Sequence, residues 1–373
     1  MADETVVAQG SGDVGRGTKD SAQGVHLSST NTGNATPSVP QVEDGGDAHL
    51  RRSLESQELS QDVANFLLDG WRHNTRKNYR TYLQRWYDFC VSRKTDPLRP
   101  PVSALLEFLL ALFHKGKKDS SGLGYSSLGV ARSAISQVAV IDGKPAGQHP
   151  LVHRFMRSVY QRRPALPRYR TRWDPDVVLE FIKTLGPNED LHLLQLSRKL
   201  TMLFLLQSGQ RGQTLAFLDT RNMTLSKTRV SFRIGDLLKN SRPGHHSSEV
   251  NFEAFTPDPD LCVVAALRTY LGKTSDLRGS ISSVLITSRK PIRPASLDTI
   301  RRWTRSLMCD AGVDMSIFAP HSTRSASVGK ANLVLPLNTI LDTIGWSNSS
   351  TFRKFYDKPL VSTSLFGPSV MGM

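Results

Sequence analysis

Apolar residues recur at helical spacing through most of the chain beyond residue 54. Tyr79, Tyr82, Leu83, Trp86, Phe89 and Cys90 fall on one stripe, with Asn74 or Thr75 as the expected cap, and Arg76, Lys77, Arg80 and Arg85 take other positions. A denser apolar helix covers Val102 to Phe113 and stops at the basic turn Lys115-Gly116-Lys117-Lys118. Ser126 or Ser127 is the expected cap of the next helix, which turns Leu128, Ala131, Ile135 and Val138 inward and Arg132 outward. His149 to Arg162 repeats the pattern, with Val152, Phe155, Met156 and Val159 inside and Arg154, Arg157 and Arg162 outside. Large aromatics at core spacing read as core before they read as a platform for stacking bases.

The pattern breaks at Pro164-Ala-Leu-Pro-Arg-Tyr-Arg-Thr-Arg172, a proline-stiffened linker carrying Arg168, Arg170 and Arg172. Asp174-Pro175 then starts a helix to about Leu185. Leu191 to Ser208 is long and almost wholly apolar, as expected of a helix running through a core, and it ends at Gly209. Period-two alternation follows in Met223–Leu225, Arg229–Ile234 and Glu249–Phe255, which predicts short strands. Pro259 is expected to open a helix through Leu271, Val284–Ile286 is a short apolar run, and Ser296 caps a helix carrying Leu297, Ile300, Trp303 and Leu307 before Gly312. Residues 1–53 contain no Phe, Tyr or Trp and cannot bury enough apolar surface to offset their ordering entropy, so they are expected to be a disordered tail.

Charge sharpens this picture. Lys and Arg number 48 against 33 Asp and Glu, a formal +15. The first fifty residues hold seven acids and two bases, so residues 51–373 carry about +20. That density favours a polyanionic partner, and arginines on the outer helix faces suit phosphate contacts. Cys90, Cys262 and Cys309 lie far apart without metal-ligand spacing, which points to buried thiols in a reducing compartment. No apolar run approaches membrane-spanning length and no secretory signal opens the chain, so the expectation is a soluble intracellular protein, nuclear if the source is eukaryotic.

The chemistry concentrates in Pro320–Pro359. His321 and Arg324 stand three apart in a segment that Pro320 can open as a helix, so both side chains are expected on one face. A second helix places Leu337, Ile340, Leu341 and Ile344 at core spacing and ends at Gly345, directly before Trp346. Ser349 or Ser350 can cap a third, carrying Phe352, Phe355 and Tyr356 before Pro359. An imidazole, a guanidinium, an indole and a phenol therefore converge, a set that could hold a phosphate and attack it.

The order H-x-x-R, then G-W, then Y resembles the C-terminal signature of the tyrosine recombinase/integrase family. The resemblance implies a catalytic set of Arg, Lys, His, Arg, His or Trp, and Tyr. The upstream arginine matches Arg211 in S-G-Q-R-G-Q-T-L, just past the Gly209 stop. The lysine matches Lys239 in the loop between strands, within K-N-S-R-P-G, a phrase similar to DIRS-type mobile-element integrases. Two positions depart from the family pattern. Thr214 stands where an acidic residue is usual, leaving Gln213 as the expected replacement for orienting the guanidinium, and the spacing from Trp346 to Tyr356 is one residue longer than usual, with slack expected in Ser347–Ser350.

What the resemblance implies is a fold that is mainly α with a small antiparallel β-sheet. A helical DNA-clamp domain (54–163), the linker (164–173), a mixed α/β catalytic domain (174–360) and a short tail (361–373) would follow in order. The implied activity is cleavage and rejoining of double-stranded DNA through a 3′-phosphotyrosine without metal, nucleotide or other cofactor, by a homotetramer on paired sites whose C-terminal tail docks on a neighbouring subunit. Expected site residues are Arg211, Lys239, His321, Arg324, Trp346 and Tyr356, with Arg76, Lys77, Arg80, Arg132, Arg168, Arg170 and Arg172 on the DNA backbone. A domesticated element protein that binds DNA without chemistry, and a relaxing topoisomerase of the same catalytic fold, are the alternative readings.

Overall fold

The computed structural model describes residues 45–116, 121–164, 166, 169–239, 241–244, 249–346, 349–360 and 370–371. Most of the tail expected over 1–53, Lys117, Lys118, Arg168, Ser347 and nearly all of 361–373 lie outside the described residues. The chain divides into two compact units, one ending at Ala165 and the other beginning at Leu166.

The first unit is helical: α1 (Gly45–Glu55), α2 (Gln61–Asp69), α3 (His73–Arg93), α4 (Val102–Lys115), α5 (Tyr125–Ile135) and α6 (Pro150–Arg162), with a two-residue hairpin of β1 (Val140–Ile141) and β2 (Lys144–Pro145) between the last two. Its core contains Leu83, Trp86 and Cys90 of α3, Leu105 and Leu109 of α4, Leu128 and Ile135 of α5, and Val152 of α6, all fully buried. The aromatic stripe of α3 is therefore core: Trp86 packs edge-on against Phe108 and donates its indole N–H to the Pro97 carbonyl at 3.1 Å. Helix α1 corrects the expected tail, because Leu50 is buried and His49 stacks on Tyr87 with ring centroids 3.6 Å apart. Two helix starts also differ from expectation. Arg72 and Gly124, already extended, precede α3 and α5, so neither Asn74, Thr75, Ser126 nor Ser127 is the cap.

The second unit comprises α7 (Pro175–Lys183), α8 (Leu193–Ser208), α9 (Gly212–Ala216), strands β3 (Met223–Leu225), β4 (Arg229–Arg233) and β5 (Glu249–Glu253), then α10 (Val263–Arg278), α11 (Leu297–Asp310), α12 (Thr323–Ala331), α13 (Leu337–Ile344) and α14 (Ser349–Phe355). Helix α8 runs through the core between α10, α11 and α12, buried on almost every side. Lys199, a fully buried charge on it, is held by Asp260 and the Gly186 carbonyl. The antiparallel sheet has the order β3-β4-β5, with Val230 opposite Phe252 and Phe232 opposite Val250. These inward residues pack on Phe204 of α8. The helix expected from Pro259 begins later: Pro259–Leu261 is a 3-10 turn, and Cys262 caps α10 with its sulfur accepting from the Ala265 N–H. Among the described residues no helix is long and apolar enough to cross a membrane.

Candidate active site

Two glycine stops place the site. Gly209 ends α8 in the left-handed region (φ +59°), where a Cβ would sit 3.1 Å from Ile344 Cγ2 and 3.4 Å from Val328 Cγ2. That close approach brings the Gln210–Arg211 turn beside α12 and α13. Gln210 donates to the Thr343 carbonyl at 3.1 Å, fixing the turn to the last helical residues before the second stop. The buried Thr214 hydroxyl, standing in the acidic position, donates to the Gln210 side-chain oxygen at 3.4 Å.

Gly345 (φ +67°) ends α13 and turns Trp346 onto a small apolar cluster separate from the main core. Val328, Ile340, Leu341, Ile344, Trp346 and Phe352 form it, with Tyr356 packed at its edge. The indole and phenol rings lie with centroids 4.4 Å apart. The Arg324 guanidinium carbon is 4.8 Å from the Trp346 ring and 5.8 Å from that of Tyr356. The extra residue before Tyr356 thus leaves its ring within the cluster.

Arg324 is only 3% exposed. One terminal nitrogen, Nη2, donates to the Ile344 carbonyl at 3.2 Å, while Nε and Nη1 are buried without a hydrogen-bond partner among the described residues. The Trp346 indole N–H is buried in the same state. Burial, and next the neighbouring Arg211 charge, bring the Arg324 pKa down from its ordinary value to about 10, with Tyr356 opposing them. Arg211, half-buried at the N-terminus of α9, is therefore close enough to be felt electrostatically.

His321 and Arg324 differ in burial: Pro320–Ser322 form a 3-10 turn before α12, where His321 is exposed, while Arg324 in the first turn of α12 is buried. The imidazole is 3.3 Å from the hydroxyl of Tyr169, which accepts the Ala319 N–H at 3.2 Å. Trp173 donates to Ser322 Oγ at 2.8 Å. Sequence reasoning missed both aromatics; their signal was two large apolar rings four apart in an otherwise basic, proline-rich segment. Lys239 is exposed in the segment between β4 and β5.

The expected phosphate contacts divide. Lys77 and Arg170 are exposed. Arg76 is half-buried and ion-paired with Asp69 at 3.4 Å, and Arg80 is half-buried. Arg132 lines a cleft of about 330 Å³ with Tyr79, Tyr125 and Met156. Arg172 is a correction: it is buried and bonds to backbone carbonyls near the C-terminus, so it does not face solvent as the linker reading required. Among the described residues no group of three or more His, Cys, Asp and Glu side chains is placed to hold a metal.

The architecture matches solved structures closely enough to classify it. The XerH site-specific recombinase bound to palindromic difH substrate aligns over 88% of this chain and 95% of its own, with a TM-score of 0.55 and 12% identity. The Tn1549 transposon integrase in complex with transposon right end DNA aligns over 87% and 98%, with a TM-score of 0.51 and 12% identity. The fold is that of the tyrosine recombinases. Within that fold the buried arginine, the indole and the phenol are gathered at the C-terminal helices of the second unit. No family model matches the sequence, and none of the curated proteins does.

Proposed function

We propose that the chain is a DNA strand transferase of the tyrosine-recombinase type, acting on duplex DNA as a homotetramer on paired sites, in the manner of a mobile-element integrase, and in the nucleus of a eukaryotic source. One observation carries the reading: three buried donor nitrogens, two on Arg324 and one on Trp346, lack hydrogen-bond partners among the described residues, beside a tyrosine ring. Each unpaired buried donor costs about 1–3 kcal/mol, so the arrangement suits an oxygen-rich anion supplied from outside, such as a phosphodiester.

In this reading the Tyr356 oxygen attacks phosphorus, an O–P bond forms to the 3′ side, and the bond to the 5′ oxygen breaks. Arg211, Arg324 and the Trp346 N–H hold the non-bridging oxygens as their charge grows. The phenol proton leaves with help from His321, which Tyr169 steadies, and Lys239 reaches in from its exposed loop to protonate the departing 5′ oxygen. Reversal with a different 5′-hydroxyl rejoins the strands. The bond energy is kept in the phosphotyrosine, so no external energy source is consumed. Lys77 and Arg170 contact the DNA backbone, with Arg76, Arg80 and Arg132 as partly covered contributors.

The exposed position of Lys239 favours a second reading, a DNA-binding protein that no longer cleaves. A nicked duplex that loses a short 5′-hydroxyl strand on cleavage separates the two. The first reading expects a covalent protein–DNA species, absent for Tyr356→Phe; the second expects retention of DNA with no covalent species from either protein.

A further inference from the structure

The linker was expected over 164–173 with its arginines on DNA; Arg172, within it, is buried and makes other contacts. The Arg172 backbone N–H donates to the Pro359 carbonyl at 3.0 Å, and its Nε donates to the Lys358 carbonyl at 3.1 Å. Both acceptors lie within three residues of Tyr356. The Lys358 ammonium sits 5.3 Å from the centre of the Tyr169 ring, and burial lowers its pKa. Tyr169 and Trp173 meanwhile grip the other side of the site through His321 and Ser322.

Space for this strap is built into α12. Gly329 lies inside that helix, where alanine would be favoured by about 1 kcal/mol. A Cβ there would come within 2.4 Å of both Cδ and Nε of Arg172. The glycine thus gives up helix stability in a way that lets the guanidinium cross the helix and reach the chain beyond Tyr356. Burial lowers the Arg172 pKa, with Asp174 partly offsetting it, so a charge has been taken out of water to reach the Lys358 carbonyl.

We propose that residues 169–173 form a strap that positions the nucleophile: Arg172 anchors the segment after Tyr356 in cis, and Tyr169 and Trp173 hold the His321 turn against the same strap. This rests on the strand-transfer reading of the site. Arg172 is a positioning residue, touching neither DNA nor the reacting atoms, so its loss should act on the rate of cleavage and leave DNA affinity alone. A nucleophile misplaced by about 1 Å can lose on the order of a hundredfold in rate.

The experiment compares wild type with Arg172→Ala, Arg172→Lys, Gly329→Ala and the Arg172→Ala/Gly329→Ala pair. Covalent-adduct formation is followed at saturating nicked duplex, and hydrogen exchange is followed over residues 349–360. Each single variant is expected to form adduct roughly ten- to a hundredfold more slowly at unchanged DNA affinity. Exchange should quicken in 349–360 while α8 and β4 keep wild-type protection. Arg172→Lys shares the defect because lysine keeps the charge but has no donor at the Nε position. The double variant should be no slower than Arg172→Ala, since the added methyl then meets no side chain. Wild-type adduct rates and wild-type exchange in both Arg172→Lys and Gly329→Ala overturn the strap. If wild type itself forms no adduct the strand-transfer reading falls, and exchange over 349–360 alone then decides whether the strap holds that segment.

Discussion

Replacing Arg324 with methionine should make the DNA-free protein more stable. The side chain is 3% exposed, donates to the Ile344 carbonyl, and has two buried nitrogens without a hydrogen-bond partner among the described residues. Burial, and next Arg211, bring its pKa down to about 10, so the folded state disfavours the cation, by an amount on the order of 3 kcal/mol. The sign follows from the direction: a lowered pKa on a base means the folded state disfavours the cation. The destabilisation is therefore fully present at neutral pH and fades only as pH rises above about 10.

Against that gain stand the cation–π contact with Trp346 and the bond to Ile344, together about 1–2 kcal/mol. Methionine fills similar space without the charge, so the net expectation is a gain of about 1–2 kcal/mol. In a unit of roughly 200 residues this raises Tm by about 4 °C. Thermal unfolding without DNA measures it, and adduct formation on a nicked duplex should be abolished in the same variant. Inorganic phosphate should raise the Tm of wild type and leave Arg324→Met unmoved. A Tm several degrees below wild type would show that the guanidinium is satisfied within the protein, and the argument for an external anion would fail.

Other consequences follow from the same geometry. Lys239→Ala should abolish cleavage of ordinary DNA and recover it on a substrate with a bridging 5′-sulfur, which leaves without a proton, whereas Tyr356→Phe should recover on neither; inactivity of Lys239→Ala on the sulfur substrate despite normal binding would assign the acid elsewhere. Gly209→Ala should cost about 2 kcal/mol in thermal unfolding, from the left-handed backbone and the 3.1 Å approach to Ile344 Cγ2; an unchanged Tm would contradict the tight packing of α8 on α13. Neutralising exposed Lys77 or Arg170 should flatten the log–log salt dependence of DNA binding by about one unit each, while buried Arg172 should leave it unchanged; a flattened slope for Arg172→Ala would place that side chain on DNA.

Local grammar carried much of this fold into the sequence. Apolar periodicity outlined α3, α4, α6 and α11, and Gly209 and Gly345 marked helix ends that the backbone then adopts with positive φ. Asp174 and Ser296 cap their helices as side-chain chemistry dictates. What escaped the sequence depends on contacts between distant segments. Arg172 meets a carbonyl 186 residues away and is buried only because Gly329 leaves room, so nothing in its basic, proline-rich surroundings announces it. Helix α1 contains no Phe, Tyr or Trp and packs through the His49 ring on Tyr87 of α3. His321 is exposed in the 3-10 turn ahead of α12 while Arg324, in the first turn of that helix, is buried, a difference set by what packs around each and not by their spacing of three.

The most direct test of the central claim is the location of the DNA on the protein after cleavage. A nicked duplex is trapped with wild-type protein, the DNA is trimmed by nuclease, and the protein is digested and analysed by mass spectrometry. The account expects a nucleotide mass on the Tyr356 phenol oxygen, joined through the 3′ phosphate, and none on Tyr356→Phe. The same mass on any other residue, or no adduct with DNA that is nonetheless bound, would contradict it.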